Sequence, residues 1–210
     1  KFDLSKATYI LQGFGNVGSW TAKILEAHGA RCVAVMDHKG SIANGEGIPI
    51  DALEKHVRSA GSVEGFAEAK SIKSEEFWST AADIAVPAAL ENQIGKQIAP
   101  LLRVKLVAEG ANGPTTPEGT EILSSRGIDI LPDILANSGG VIVSYCEWTQ
   151  NMNNEQWDLE EVDARLKKRI LKAYKAAKSA AERYKTDLGT ACFIVALERL
   201  QAAYNERGIF

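Results

Sequence analysis

The feature that most constrains this chain is a glycine-rich turn between an apolar run and an amphipathic segment. The run Thr8–Gln12 leads into Gly13-Phe14-Gly15-Asn16-Val17-Gly18, and a helical pattern continues to His28. In such a turn the first glycine permits the bend, the second admits a pyrophosphate, and the third lets the helix pack closely. The free N–H groups at the helix start also attract phosphate. The turn therefore predicts a dinucleotide site, with a ligand-free strand-to-helix turn as the alternative.

A second apolar run, residues 32–36, ends at Asp37. A carboxylate at this position is expected to accept hydrogen bonds from the hydroxyl groups of an adenosine ribose. Its charge would repel a 2′-phosphate, so the sequence favours NAD as the cofactor. His38 and Lys39 follow directly and would accommodate that phosphate, which leaves NADP open.

Apolar runs alternate with helical patterns along the first two thirds of the chain. This alternation predicts an α/β fold with a Rossmann-like, doubly wound, mostly parallel sheet and a C-terminal pair of long helices. We assign residues 1–150 to a dinucleotide-binding domain and residues 151–210 to helices that pack on it as part of the same unit. The predicted strands are 8–12, 32–36, 83–86, 104–108 and 128–131.

Between the strands, residues 39–50 predict a short hairpin with a glycine turn, and Gly29 and Gly127 are expected to end helices. Residues 149–155 form a polar break between helices, and Gly189 a further break between a helix at 158–185 and a final one at 191–204. Side chains are expected to cap four helix starts. These caps are Asp51 with Glu54, Ser74, Thr116 before Pro117, and Asp158 with Glu161.

Composition excludes several classes of function. The net charge is −3 and no run of about 18 apolar residues occurs, so neither nucleic acid nor a membrane is an expected partner. The basic residues at 167–169 and 172 are interpreted as a solvated helix face. Cys32, Cys146 and Cys192 are widely spaced and lack a nearby histidine, which favours thiols in a reducing compartment over disulfides or a metal site. No secretion signal is apparent, so a cytoplasmic location is expected.

Short and small residues follow the predicted strands at the sheet edge where ligands bind. Pro87, Ala88 and Ala89 follow the third strand and would let a ribose or nicotinamide approach the backbone. Asn112 and Asn137 follow the fourth and fifth strands and could match the nicotinamide carboxamide, or could simply satisfy their own turns.

Ser144 lies seven residues beyond Asn137, which is about two helical turns, on a helix opened by Gly139 and Gly140. The two side chains are therefore expected to point the same way. A buried serine bonded to the preceding helical turn is the alternative.

Three stretches, 82–92, 107–118 and 132–145, resemble the cofactor-binding half of the glutamate dehydrogenase family, within the glutamate, leucine, phenylalanine and valine dehydrogenase superfamily. The resemblance implies a modified Rossmann sheet with one strand reversed. It also implies that Val141 and Ser144 face the substrate side chain, and a serine at this point favours glutamate. The implied cofactor-binding residues are Gly13, Phe14, Gly15, Asn16, Val17, Gly18, Asp37, Pro87, Ala88, Ala89, Asn112 and Asn137, and the implied substrate-binding residues are Asn137, Val141 and Ser144.

In this family the catalytic lysine and aspartate lie in an N-terminal domain that no part of the chain matches, so we assign no catalytic residue and no metal ligand. The resemblance implies NAD(P)-dependent oxidative deamination of L-glutamate to 2-oxoglutarate and ammonia by a homo-hexameric parent. The chain alone is expected to be inactive, and monomeric or weakly dimeric. A leucine or phenylalanine dehydrogenase domain, or a stand-alone cofactor-binding module, are the alternatives. Gly189 departs from the larger residue that the family pattern suggests.

Overall fold

The computed structural model describes residues 3–208, and its central feature is a seven-stranded sheet. The strand order is β4-β3-β2-β1-β5-β6-β7. Strand β3 is antiparallel to both of its neighbours, and every other pair is parallel. The α/β fold and its single reversed strand are thus confirmed. The strands are β1 (Thr8–Gln12), β2 (Arg31–Met36), β3 (Ser41–Ala43), β4 (Lys70–Ile72), β5 (Ile84–Pro87), β6 (Leu106–Ala108) and β7 (Asp129–Leu131).

Helices connect the strands and then continue alone to the end of the described chain. A short 3-10 helix, Leu4–Lys6, precedes β1. The α-helices are α1 (Asn16–Ala27), α2 (Ile50–Ala60), α3 (Ser74–Ser79), α4 (Pro117–Ser125), α5 (Asp133–Ala136), α6 (Gly139–Asn153), α7 (Leu159–Tyr184) and α8 (Leu188–Glu206).

Strand β1 is buried on both faces, as its continuous apolar run predicts. Tyr9 and Leu11 belong to one core cluster, which also contains Leu53 of α2. Ile10 points to the opposite face and belongs to a second cluster with Leu123 of α4. Helices on both faces bury the sheet, and this leaves the ends of its strands as the places where ligands can reach the backbone.

The chain divides into two compact units, with the division between Asp133 and Ile134. The first unit holds the whole sheet, and the second holds helices α6, α7 and α8. The assignment of residues 1–150 to one dinucleotide-binding domain stays a prediction. None of the helices in residues 3–208 is both long enough and apolar enough to cross a membrane.

Two of the predicted side-chain caps are confirmed. Thr116 accepts a hydrogen bond from the Gly119 N–H (3.1 Å), with Pro117 in the first helical position. Asp158 accepts one from the Glu161 N–H (2.8 Å). Gly29 and Gly127 also follow helix ends as predicted, with φ of +87° and +70°.

The caps predicted at Asp51 and Ser74 are wrong. Both residues lie inside their helices, which begin one residue after Pro49 and Lys73, and neither helix start has a side-chain cap. Glu54 forms ion pairs with Lys23 (2.7 Å) and Arg58 (3.1 Å), so it is not available for the predicted capping box.

The hairpin predicted at 39–50 is also wrong. Only its first limb is a strand, β3, which pairs with β2 on one side and with β4, some thirty residues later, on the other. Strand β4 was not predicted, because Lys70-Ser71-Ile72 is too short to show apolar alternation.

The polar segment 149–155 does not break the helix where predicted, because α6 continues to Asn153 and ends at Asn154 with φ of +55°. Gly189 is likewise not a break. Helix α8 begins at Leu188 with Asp187 as its cap, and Gly189 lies in its first turn.

Candidate cofactor-binding site

Gly13 and Gly18 are glycines because the protein itself leaves no room for a side chain. Gly13 has φ of +91°, and a Cβ there would lie 2.6 Å from the carbonyl oxygen of Ala88. A Cβ on Gly18 would overlap the carbonyl oxygen of Gly13. These two positions hold strand β1, helix α1 and the end of β5 in close contact, as the sequence pattern predicts.

Gly15 is different, because nothing in the protein requires a glycine there. Its φ of −85° suits any residue, and a Cβ would meet no atom within 4 Å. Gly15 is the N-cap of α1 and offers no side-chain hydrogen bond, so the N–H groups of the first turn have no side-chain cap. An exposed glycine before an uncapped helix start fits a bound phosphate, since backbone groups and the helix dipole both favour an anion there.

Asp37 is held by hydrogen bonds that the sequence did not predict. Its carboxylate accepts from the N–H groups of Lys39 (2.9 Å), Gly40 (3.1 Å) and Val63 (2.8 Å), and from the Ser62 hydroxyl (3.1 Å). Burial alone would raise the pKa of Asp37, but these four bonds outweigh it and hold the pKa below its ordinary value. The carboxylate is therefore ionised and fixed at the end of β2, half-buried, beside the glycine turn.

The segments after β5 and β6 are tied to the glycine turn. The Ala88 N–H donates to the Gln12 carbonyl (2.7 Å), and the Pro87 carbonyl accepts from the N–H groups of Gly110 (3.0 Å) and Ala111 (2.9 Å). A Cβ on Gly110 would lie 3.2 Å from the Cβ of Ala88. The ends of three neighbouring strands thus form one continuous edge, and Ala89 and Asn112 are exposed on the segments that form it.

Glu109 is a buried carboxyl group at this edge that the sequence analysis did not single out. Its Oε2 accepts a hydrogen bond from the Asp133 N–H (2.9 Å), and the Asp133 carboxylate accepts one from the Gly113 N–H (2.7 Å). Burial raises the pKa of Glu109 above its ordinary value, and the negative charge of Asp133 adds to the effect. The sequence signal that could have identified Glu109 is a carboxylate placed directly after a buried strand.

Gln12 is a second residue that the sequence analysis missed. Its Nε2 donates to the Oε1 of Gln93 (2.7 Å), and the Nε2 of Gln93 donates to the Glu91 carbonyl (3.0 Å). This relay leaves the buried Oε1 of Gln12 without a hydrogen-bond partner within residues 3–208. A polar residue that ends an otherwise apolar strand was the sequence signal, and these hydrogen bonds tie the end of β1 to the loop after β5.

The predicted substrate residues all lie in the second unit. Asn137 is half-buried in the turn between α5 and α6, and Val141 and Ser144 are exposed on α6. Because Asn137 lies outside the helix, the argument that two helical turns align it with Ser144 does not apply. Ser144 is also not buried, contrary to the alternative interpretation of this residue.

Comparisons with known proteins agree with this geometry. The family model for Glutamate/Leucine/Phenylalanine/Valine dehydrogenase matches residues 1–208. The chain is 44% identical to a glutamate dehydrogenase of Thermotoga maritima, over 99% of this chain and 50% of that protein. It is 40% identical to an NAD-specific glutamate dehydrogenase of Clostridioides difficile, over 98% and 50% of the two chains.

Among solved structures, a hetero-hexameric glutamate dehydrogenase of Thermus thermophilus superposes with a TM-score of 0.91 at 32% identity, covering 99% of this chain and 49% of that one. The chain therefore spans about half the length of the relatives it matches. With the sheet, the glycine turn and the family match in agreement, the chain belongs to the Glutamate/Leucine/Phenylalanine/Valine dehydrogenase family.

Proposed function

We propose that this chain is the cofactor-binding half of a glutamate dehydrogenase. The observation that carries the proposal is Gly15, which has no packing role and precedes an uncapped helix start at the ligand-binding edge of the sheet. The Thermotoga maritima and Clostridioides difficile relatives, both glutamate dehydrogenases, support the same conclusion.

The residues of this chain would hold the cofactor in three places. Residues 13–18 would bind the pyrophosphate, Asp37 the adenosine ribose, and residues 87–89 with Asn112 the nicotinamide half. The bound nicotinamide supplies hydride transfer. The protein's part is to fix the dinucleotide along one rigid edge. The Ala88 N–H donates to the Gln12 carbonyl and the Gly110 N–H to the Pro87 carbonyl, and these bonds hold the three strand ends together.

The fixed, ionised Asp37 favours NAD over NADP. Its four hydrogen bonds keep the carboxylate ionised at the end of β2, and its charge would repel a 2′-phosphate and so weaken NADP binding. The NAD-specific relative supports this preference. Titrating NADH and NADPH into the chain tests it, and tighter binding of NADPH would overturn it in favour of His38 and Lys39 as phosphate ligands.

For the substrate, Asn137 and Ser144 offer polar groups to L-glutamate or 2-oxoglutarate, and Val141 offers apolar contact. The acid–base groups of oxidative deamination would lie in the half of the relatives that this chain does not span. We therefore expect the chain to bind cofactor without turning over glutamate.

The relative from Thermus thermophilus is a hexamer. We expect the parent of this chain to be hexameric and the chain alone to be monomeric or weakly dimeric. We also expect a reducing, cytoplasmic location.

Calorimetric titration with NADH tests cofactor binding. The Cβ of Gly15→Val would lie in the open space before α1 with no protein atom within 4 Å, so we expect roughly ten-fold weaker binding or more, at a cost in stability of about 1 kcal/mol or less. Gly45→Val is the matched control, because Gly45 is also exposed with open space around it. Equal losses in both variants, or none in Gly15→Val, would contradict the proposed cofactor site.

Activity measurements separate the remaining alternatives. The chain should reduce no NAD with glutamate until the other half of a parent enzyme is added, and turnover by the chain alone would refute its expected inactivity. Ser144→Ala in that parent should impair glutamate more than leucine or phenylalanine. Unchanged glutamate kinetics would favour a dehydrogenase of apolar amino acids.

A further inference from the structure

The loop that follows β6 carries Asn112, and its backbone is held on both sides of that residue. On one side, the Ala111 N–H donates a hydrogen bond to the Pro87 carbonyl (2.9 Å). On the other side, the Gly113 N–H donates to the carboxylate of Asp133 (2.7 Å). Asn112 is exposed between these two bonds. It therefore lies on a short loop whose backbone has little freedom to move.

Asp133 is itself held by a second carboxyl group. The Oε2 of Glu109 accepts a hydrogen bond from the Asp133 N–H (2.9 Å), and the Glu109 N–H donates to the Leu131 carbonyl (3.1 Å). The loop after β6 is thus tied to the end of β7 both before and after Asn112. Each carboxyl group accepts a backbone N–H from the other segment, and we call Glu109, Asp133 and Gly113 the carboxyl clamp.

The carboxyl clamp places two acidic groups close together, which opposes their ionisation. Burial raises the pKa of Glu109, and the negative charge of Asp133 raises it further. Strands β6 and β7 are already joined by their parallel ladder, so the clamp is not needed to pair them. Acidic groups with a perturbed pKa at a ligand-binding edge are more typical of functional sites than of structural ties.

We infer that Asp133, held by Glu109, is a positioning residue for Asn112 and, through it, for the nicotinamide ring of the cofactor. Asp133 fixes the backbone of Gly113, next to Asn112, and thereby sets the direction in which the Asn112 carboxamide meets the carboxamide of nicotinamide. The inference rests on the proposed cofactor site. It adds a residue that acts on the nicotinamide half of the dinucleotide alone, since the proposed ligands of the adenosine half, such as Asp37, lie outside the clamp.

Parallel titrations of the chain with NADH and with ADP-ribose test this inference. ADP-ribose keeps the adenosine, the pyrophosphate and the second ribose of NADH but lacks the nicotinamide. Asp133→Ala removes the acceptor of the Gly113 N–H, and we expect at least about five-fold weaker binding of NADH. ADP-ribose should bind within about two-fold of its affinity for the unaltered chain. Asp133→Asn keeps an oxygen acceptor and should recover most of the NADH affinity.

Asp83→Ala is the matched control for a loss of structure. Asp83 is also a half-buried aspartate of the first unit, and its carboxylate accepts a hydrogen bond from the Thr8 N–H (3.0 Å). It precedes β5 and so lies at the opposite edge of the sheet. We expect this variant to lose stability without changing the ratio of the two affinities. Circular dichroism shows that each variant is folded.

Asn112→Ala provides the second test, because a residue that acts through Asn112 has no effect once that side chain is gone. The double variant with Asp133→Ala should bind NADH no more weakly than the weaker of the two single variants. Additive losses, unchanged NADH binding in Asp133→Ala, or equal losses of NADH and ADP-ribose would overturn the positioning role and leave the cofactor site standing. Absence of NADH binding by the unaltered chain would overturn the proposed cofactor site together with this inference.

Discussion

The two compact units bury their apolar side chains to very different extents. In the first unit, two large core clusters cover both faces of the sheet. Leu11, Ile42 and Leu102 belong to these clusters and are fully buried. In the second unit, Trp148 is 57% exposed and Leu197 is 64% exposed. The apolar residues that the second unit buries are mostly small: Leu135, Cys146, Ala177, Ala180 and Ala191.

This difference shows where the stability of the chain resides. Burying an alanine side chain removes far less apolar surface from water than burying a leucine, so the helices of the second unit gain little from their own contacts. We therefore expect mutations of equal chemistry to have unequal effects in the two units.

Glycine-to-alanine changes should show the largest contrast. Gly18→Ala in the first unit forces a Cβ onto the Gly13 carbonyl and should lower the free energy of unfolding by about 3 kcal/mol or more. Gly140→Ala in the second unit meets no atom within 4 Å and lies in α6, where alanine is the better helix former. It should raise stability by up to about 1 kcal/mol. Urea denaturation followed by circular dichroism measures the free energy of unfolding of both variants. Similar losses in the two would contradict the proposed difference between the units.

Leucine-to-alanine changes should show the next largest contrast. Leu123 is fully buried in the first unit, and Leu123→Ala should cost about 3 kcal/mol because it leaves a cavity. Leu197 on α8 is mostly exposed, and Leu197→Ala should change the free energy of unfolding by less than about 0.5 kcal/mol. Thermal and urea denaturation give both values. A large loss for Leu197→Ala would mean that α8 buries this face in solution, for example against a second copy.

Two aspartates, one in each unit, should make the free energy of unfolding depend on pH. Burial alone would raise the pKa of both carboxyl groups, Asp37 in the first unit and Asp187 in the second, but hydrogen bonds outweigh it and lower both pKa values. For Asp187 the donors are the N–H and the hydroxyl of Thr190. A lowered folded-state pKa stabilises the protein above the unfolded pKa of about 3.9, and this stability is lost as pH falls through the folded pKa. We expect Asp37→Ala to cost about 2 kcal/mol at pH 7 and Asp187→Ala about 1 kcal/mol.

Both losses should begin to shrink as the pH falls below about 4 and should disappear once it falls through the lowered folded-state pKa, because the carboxylates are then protonated in the unaltered chain as well. Urea denaturation at pH 7 and pH 3 measures this dependence. A loss for Asp37→Ala that stayed constant with pH would show that its charge does not contribute.

Local patterns predicted much of the first unit and missed its long-range contacts. The turn 13–18 was predictable because a strand, three glycines and a helix stand next to one another in the sequence. The hydrogen bonds that Asp37 accepts from Ser62 and Val63 were not, because those residues lie about 25 positions away in a loop without a pattern. Strand β4 was missed for the same reason, since only its pairing with β3 makes it a strand.

In the second unit, helical periodicity predicted α7 to within one residue at each end but not the surroundings of each face. Lys168 and Lys172 are exposed, as the sequence analysis expected of a solvated helix face. Only the packing of α5, α6 and α8 around α7 turns that face into a groove. Periodicity describes one helix at a time, whereas a groove between helices depends on how they pack against one another.

The two edge strands of the sheet bear on how the protein avoids pairing with the sheet edge of another chain. A sheet edge offers unpaired N–H and C=O groups to any passing strand, and long, flat, apolar edges lead to aggregation. Here the edges are β4 and β7, each three residues long and each beginning with a charged residue, Lys70 or Asp129. The five strands between them have both sides paired. Strand β1, which leads into the glycine turn, is thus kept in the middle of the sheet, where another chain cannot add to it.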